Sequence, residues 1–231
     1  MLPIPGPCGH HRHTIRTERL LLYTPDDLMD LAAVAAAGSD PQAQRWLGFT
    51  SRDVVAEPRV RQALIEMRPG DNHTVLSSLP GYTAEPYEPL RQKDFVLLVA
   101  VRLDDGRYAG CVKLAVDEGT IGGWLAPHSR AQGLGAELFG AGALLAHAHL
   151  GLDRVRAGTE VGNTASRRAL LRAGFIPDEG PDRHTLPDGR EIDVRWLQHL
   201  TGPVSLCRGA GPEKRQTPAV TFAHLTDSES H

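Results

Sequence analysis

Two glycines stand one residue apart where a helix begins. In "HSRAQGLGAEL", His128 to Leu138, Gly133 and Gly135 occupy a first helical turn. Glycine there costs about 1 kcal/mol against alanine, so something has to offset it. Three chemistries fit such a pair. A dinucleotide fingerprint G-x-G-x-x-G matches at Gly133 and Gly135, but its third position is Leu138. It also wants an acid about 20 residues on, at the end of the next strand. Asp153 has that distance but precedes its strand, and antiparallel hairpins precede the motif. The dinucleotide reading is therefore set aside. A tight strand-to-helix corner is the second reading. An anion site is the third: consecutive backbone N–H groups, backed by the helix dipole, bind phosphate oxygens that lie too close for a side chain. Arg130, three residues before Gly133, would add positive charge at the rim. Spacing alone leaves the last two open.

A second cluster, Cys8, His10, His11 and His13 in "CGHHRH", has metal-binding residue types. A structural zinc site needs a second ligand pair at matching spacing. None follows nearby, so no metal is expected.

The rest of the 231 residues bounds the function. A net charge of −3 offers no basic field for nucleic acid or an anionic membrane. The three cysteines, Cys8, Cys111 and Cys207, are widely separated, which suits a reducing compartment. No apolar run approaches the roughly 20 residues of a membrane helix, and "MLPIPGPCGHHRH" lacks the layout of a signal peptide. A cytoplasmic protein is expected.

Stepping outward from the glycines, the pattern predicts the elements that hold them. Residues 1–13 read as a flexible arm, 14–200 as one domain and 201–231 as a flexible or loosely docked tail. "HTIRTERLLLY" reads as a first strand. "TPDDLMDLAAVAAAG" reads as a helix capped by Thr24 and closed by Gly38, with Asp26 and Asp27 in its first turn. A short helix follows in "DPQAQRWLGF", then a helical stretch in 53–67 interrupted by Pro58. Residues 69–92 show no period, and a long structureless stretch inside a domain is functional or disordered. "DFVLLVAVRL", "RYAGCVKLAV" and "TIGGWLAP" should form an antiparallel meander about Asp104-Asp105-Gly106 and Asp117-Glu118-Gly119. Leu134, Leu138, Ala141, Leu145 and Ala148 recur at helical spacing to about His149. "DRVRAGTE" is then a strand parallel to the one before the motif. Asn163 or Thr164 caps the next helix, Gly174 ends it, and a hairpin about Pro187-Asp188-Gly189 closes the domain.

In this company "R-A-Q-G-L-G" resembles the R/Q-x-x-G-x-G/A signature of the GNAT acetyltransferase superfamily. The likeness extends to "TERLLL", "IGGWLAP" and "NTASRRALLRAGF", and covers roughly residues 14–200. The branch it looks closest to contains bacterial N-terminal acetyltransferases of ribosomal proteins. The resemblance implies an α/β fold: a mixed, mostly antiparallel sheet with a splayed parallel pair at the cofactor site, flanked by helices. It implies acetyl-CoA as cosubstrate, its pyrophosphate held by the N–H groups of Ala131, Gln132, Gly133, Leu134, Gly135 and Ala136, with Arg130 beside them. It implies that pantetheine pairs with Gly123, Trp124 and Leu125 and contacts Asn163. The reaction implied is direct attack of a primary amine, of a protein N-terminus or a small molecule, on the thioester.

Many relatives carry a tyrosine acid seven residues after the asparagine; here that position is Leu170. Ser166 is the substitute candidate, with Tyr82 and Tyr87 behind it. Relatives often carry an acid where Thr120 stands, so Glu118, two residues earlier, and Glu160, at the end of the next strand, are the candidate bases. A small polycation would favour an acidic pocket from Asp26, Asp27, Glu85 and Glu88. The rival reading, kept alive by Leu170 and Thr120, is a non-catalytic acyl-CoA sensor.

Overall fold

A computed structural model describes residues 4–5, 12–25, 28–51, 54–68 and 95–201. The segment 69–92, Cys8, His10, His11, Asp26, Asp27 and the tail beyond Thr201 lie outside the described residues, and so do the expectations that rest on them.

Short strands β1 (Ile4–Pro5), β2 (Thr14–Arg16) and β3 (Leu20–Tyr23) come first. The segment read as one strand is thus a hairpin. Thr17 and Leu20 tie its turn, the Thr17 N–H donating to the Leu20 carbonyl (2.9 Å) and the Leu20 N–H to the Thr17 hydroxyl (2.9 Å). Within the expected N-terminal arm, Ile4 and Pro5 pair with Arg16 and Ile15.

Three helices follow, α1 (Leu28–Gly38), α2 (Pro41–Leu47) and α3 (Pro58–Glu66). The Thr24 hydroxyl takes the His13 N–H (2.9 Å), linking the flanks of β2 and β3. The cap expected of it falls on Asp26 and Asp27, outside the described residues. Pro58 does not interrupt a helix; it starts one, with Glu57 as the cap, because proline's missing N–H is harmless in a first turn.

The meander is as expected: β4 (Phe95–Arg102), β5 (Tyr108–Ala115) and β6 (Thr120–Leu125) pair antiparallel in that order. Leu98, Ala100, Val112 and Leu114 feed one core, and Val99, Val101, Tyr108 and Cys111 the other. That two-sided burial explains why "FVLLVAV" reads as a continuous apolar run. The next helix, α4 (Leu134–Leu144), buries Leu134, Leu138 and Ala141 in the first core. It passes into a wider turn, Leu145–His149, in which the Leu150 N–H reaches the Leu145 carbonyl (3.1 Å). Strand β7 (Arg154–Glu160) and helix α5 (Thr164–Arg172) come next. Gly174 takes a left-handed φ of 94°, and the Phe175 N–H turns back to the Leu170 carbonyl (3.1 Å).

A short strand that the sequence pattern did not show, β8 (Ile176–Asp178), pairs with the long closing strand β10 (Glu191–Leu200). Strand β9 (Arg183–Thr185) forms the expected hairpin with β10. Sheet order is β1-β2-β3-β4-β5-β6-β7-β10-β8. Among the described strands, β6 and β7 make the single parallel pair. The architecture is the mixed, mostly antiparallel sheet flanked by helices that the resemblance implied.

Candidate active site

Strands β6 and β7 meet at one pair, Thr120 with Arg156, fixed by the Arg156 N–H donating to the Gly119 carbonyl (2.8 Å). Beyond it they separate. From Ile121 to Leu125, β6 pairs only with β5, and from Ala157 to Glu160, β7 pairs only with β10. The gap between them is floored by the start of α4 and by α5.

At its open end the chain makes the corner that the glycines announced. Ala131 adopts a left-handed φ of 59° and Gly133 one of 80°. Ala131 is the one non-glycine residue with positive φ among the described residues. An alanine held there is strained, and such strain concentrates at functional sites. The two glycines have different reasons. Gly133 needs its backbone conformation: a Cβ there would meet only the Arg19 guanidinium, at 3.4 Å. Gly135 needs space, since a Cβ would stand 3.1 Å from that of Ala169, so its smallness lets α4 and α5 pack closely. Both the corner and the anion reading thus have a physical basis, on different residues. The Ala136 N–H already donates to the Gly133 carbonyl (3.2 Å); those of Leu134 and Gly135 open the helix and have no helical carbonyl before them.

Arg130 lines the cleft beside the corner, but its charge is already paired. Its guanidinium forms an ion pair with Asp40, with a further bond to Asp40 Oδ1 (2.9 Å), and it donates to the Leu125 carbonyl (2.9 Å). It ties the end of β6 to the cap of α2. Burial raises the Asp40 carboxyl, but Arg130 and the N–H groups of Ala43 and Gln42 outweigh it and hold the group below its ordinary range.

Further cations beside the corner were not legible in the pattern. Arg19 donates to the Gln132 carbonyl (2.7 Å) and pairs with Glu137 (2.6 Å) in the first turn of α4. Thr17 and the Arg19 N–H also donate to Glu137 (2.5 and 3.0 Å). The turn in "TERLLL" is therefore a buttress of the corner. Arg168 and Arg172, exposed on α5, line the same cleft. Spaced i and i+4, they share one helix face.

That cleft, about 460 Å³, joins a larger chamber of about 790 Å³ at Trp46, Gly123, Trp124, Asn163 and Ser166. Trp124 is anchored from behind: its indole N–H donates to the Val34 carbonyl (2.9 Å), and its ring meets Phe49 edge-on. Asn163 caps α5, its Oδ1 accepting the Ser166 N–H (3.1 Å). Leu170 is buried, so its position offers no acid. Glu118 and Glu160 both line the chamber but at different levels. Four positions along each strand from the Thr120–Arg156 pair stand Glu160 on β7 and Trp124 on β6. Glu118 lies in the turn before β6, whereas Glu160 ends β7. Glu118 is exposed and accepts the Thr120 hydroxyl (3.2 Å). Glu160 is half-buried beside the junction.

The family model described as "Acetyltransferase (GNAT) domain" matches residues 19–176. The chain belongs to the GNAT acetyltransferase family. No curated protein sequence matches it. Solved GNAT-type structures share its fold. An acetyltransferase of the GNAT family from Bacillus anthracis is 18% identical over 81% of this chain and 98% of its own, with a TM-score of 0.53. RimL, a ribosomal-protein alpha-N-acetyltransferase solved with coenzyme A, is 15% identical over 80% of this chain and 95% of its own, at 0.54. A spermidine N-acetyltransferase from Vibrio cholerae, solved with coenzyme A and spermine, is 13% identical over 80% and 96%, at 0.53. Among the described residues of this GNAT domain no group of metal-ligating side chains could hold an ion, and no helix is long and apolar enough to cross a membrane.

Proposed function

We propose that this GNAT domain transfers the acetyl group of acetyl-CoA to a primary amine by direct attack. The observation that carries the reading is the gap between β6 and β7 opening onto the left-handed corner at Ala131 and Gly133. The free edge of β6 at Gly123, Trp124 and Leu125 suits an extended amide-bearing arm. The N–H groups from Ala131 to Gly135 suit a pyrophosphate, with Arg168 and Arg172 as its counter-charges. Arg130 serves by holding the corner in place, and Asn163 by facing the arm where the two cavities join.

Acetyl-CoA supplies the activated acyl group. The amine nitrogen bonds to the acetyl carbon, the carbon–sulfur bond breaks, and sulfur leaves with the electron pair. Glu160 takes the proton that the amine loses, its level at the junction favouring it over Glu118. Ser166, whose side chain borders both cavities, assists the leaving sulfur. Asp117, Glu118 and Glu160 outnumber Lys113 on the chamber wall, which favours a cationic acceptor. Within that class we place the acceptor among protein N-termini and small-molecule amines, the former in the manner of ribosomal-protein N-acetyltransferases.

Thiol release from acetyl-CoA, followed over a panel of N-terminal peptides and polyamines, tests this. Turnover with at least one amine is expected, lost about a hundredfold in Glu160→Gln and little changed in Glu118→Gln. Absence of thiol release with every amine, in folded protein that binds coenzyme A, would leave a sensor.

A further inference from the structure

Strand β7 sends Val155, Ala157 and Thr159 to one side, and the first two belong to the main apolar core. Thr159 continues their row and is 5% exposed, yet its hydroxyl oxygen is enclosed and has no hydrogen-bond partner. A buried hydroxyl without a partner is costly, and valine would fill the same volume without that cost. Thr159 also lines the large chamber, as Gly123 does, each three positions along its strand from the Thr120–Arg156 pair. On α5, the same chamber is lined by buried Leu170, which has no polar side-chain atom to offer.

We propose that Thr159 is a hydrogen-bond donor to the sulfur of the bound acyl donor, supplying from β7 a polar contact that Leu170 cannot supply from α5. The inference rests on the acetyltransferase reading above. Thr159 gives up no proton; its O–H points at the sulfur as negative charge gathers there. Staggered rotamers about 120° apart let the hydroxyl exchange places with its own methyl or hydrogen without a change of volume. An enclosed oxygen thereby turns toward the chamber when the donor seats.

Thr159→Val and Thr159→Ser test it, each read in three ways. The valine variant, free of ligand, should melt no lower than wild type, because it removes an unpaired polar atom from a core position. Its kcat should fall tenfold or more with little change in KM for acetyl-CoA, and the serine variant should recover most of the loss. The thiolate absorbance of bound coenzyme A, titrated with pH, should show a higher thiol pKa in the valine variant, since a hydrogen bond to the charged form is gone. A valine variant with wild-type kcat and an unshifted thiol titration overturns the proposal while wild-type turnover upholds the enzyme. Wild type that releases no thiol with any amine overturns the acetyltransferase reading instead; the coenzyme A titration then still decides whether Thr159 faces the sulfur.

Discussion

Arg130 and Asp40 lie 90 positions apart in the chain and are joined by an ion pair with a second, parallel bond. Asp40 at the same time caps α2 through the Gln42 and Ala43 N–H groups (3.1 and 3.3 Å). One carboxylate therefore holds both a helix start and the arginine that grips the last carbonyl of β6. Arg130→Ala should cost roughly 1.5–3 kcal/mol of stability, as for a hydrogen bond to a charged group. Asp40→Ala should weaken coenzyme A binding about as much as Arg130→Ala does, because both loosen the same corner. Calorimetric titration of the two variants decides it. Intact binding in Asp40→Ala with lost binding in Arg130→Ala would return Arg130 to direct phosphate contact.

The glycine pair should separate experimentally. Gly133→Ala places a side chain at a left-handed φ, at roughly 1–2 kcal/mol, and should lower coenzyme A affinity while α4 and α5 remain packed. Gly135→Ala should act first on melting temperature, since its new methyl crowds Ala169. The double variant Gly135→Ala, Ala169→Gly should recover most of that stability. No recovery would mean that helix packing is not what Gly135 serves.

Much of this was legible in the residues, and the failures are of one kind. Period and turn chemistry found the meander, the crossover and the closing hairpin, because these features are local. The hairpin hidden in "HTIRTERLLLY" was missed because Thr17 makes a turn with its side chain, without glycine or proline. The ion pairs of Arg130 and Arg19 were not legible, because their partners are 90 and 118 positions away. A sequence shows a charge but not what neutralises it. The left-handed Ala131 was also beyond reach, since nothing about alanine announces that conformation.

A buried carboxylate elsewhere offers a stability test. Asp30, at the start of α1, accepts hydrogen bonds from the Tyr23 (2.9 Å) and Tyr108 hydroxyls. Burial, followed by the Asp30 charge, pushes the Tyr23 phenol far above its ordinary range. Tyr108→Phe should cost about 1.5–3 kcal/mol, as for a hydrogen bond to a charged group. Chemical denaturation would show it as a lower midpoint at unchanged slope.

Acid should loosen the far end of α4. His147 Nε2 and His199 Nδ1 are 2.9 Å apart, and His13 Nδ1 and His149 Nδ1 3.2 Å. Burial lowers the His149 imidazole; burial, then the His147 charge, lowers that of His199. The folded chain therefore binds fewer protons than the unfolded chain at these sites. Their stabilising contribution is full above pH 6.5 and is lost as pH falls through the lowered folded values. Melting temperature should drop between pH 7 and 5, and His199→Gln should flatten the drop. An equally steep profile in that variant would assign the acid sensitivity to other groups.

The single Thr120–Arg156 rung has a consequence for motion. The strands on either side of it are two smaller sheets sharing one stitch, and their relative tilt is held by α4 and α5 rather than by a ladder. Under the function proposed above, an extended arm lying along Gly123 to Leu125 is in effect a strand, supplied by the substrate and withdrawn with the product. The sheet would then be completed once per turnover. Amide hydrogen exchange should follow that cycle, slowing along β6 beyond Thr120 when coenzyme A is present while β4 and β5 keep the rates they had without it.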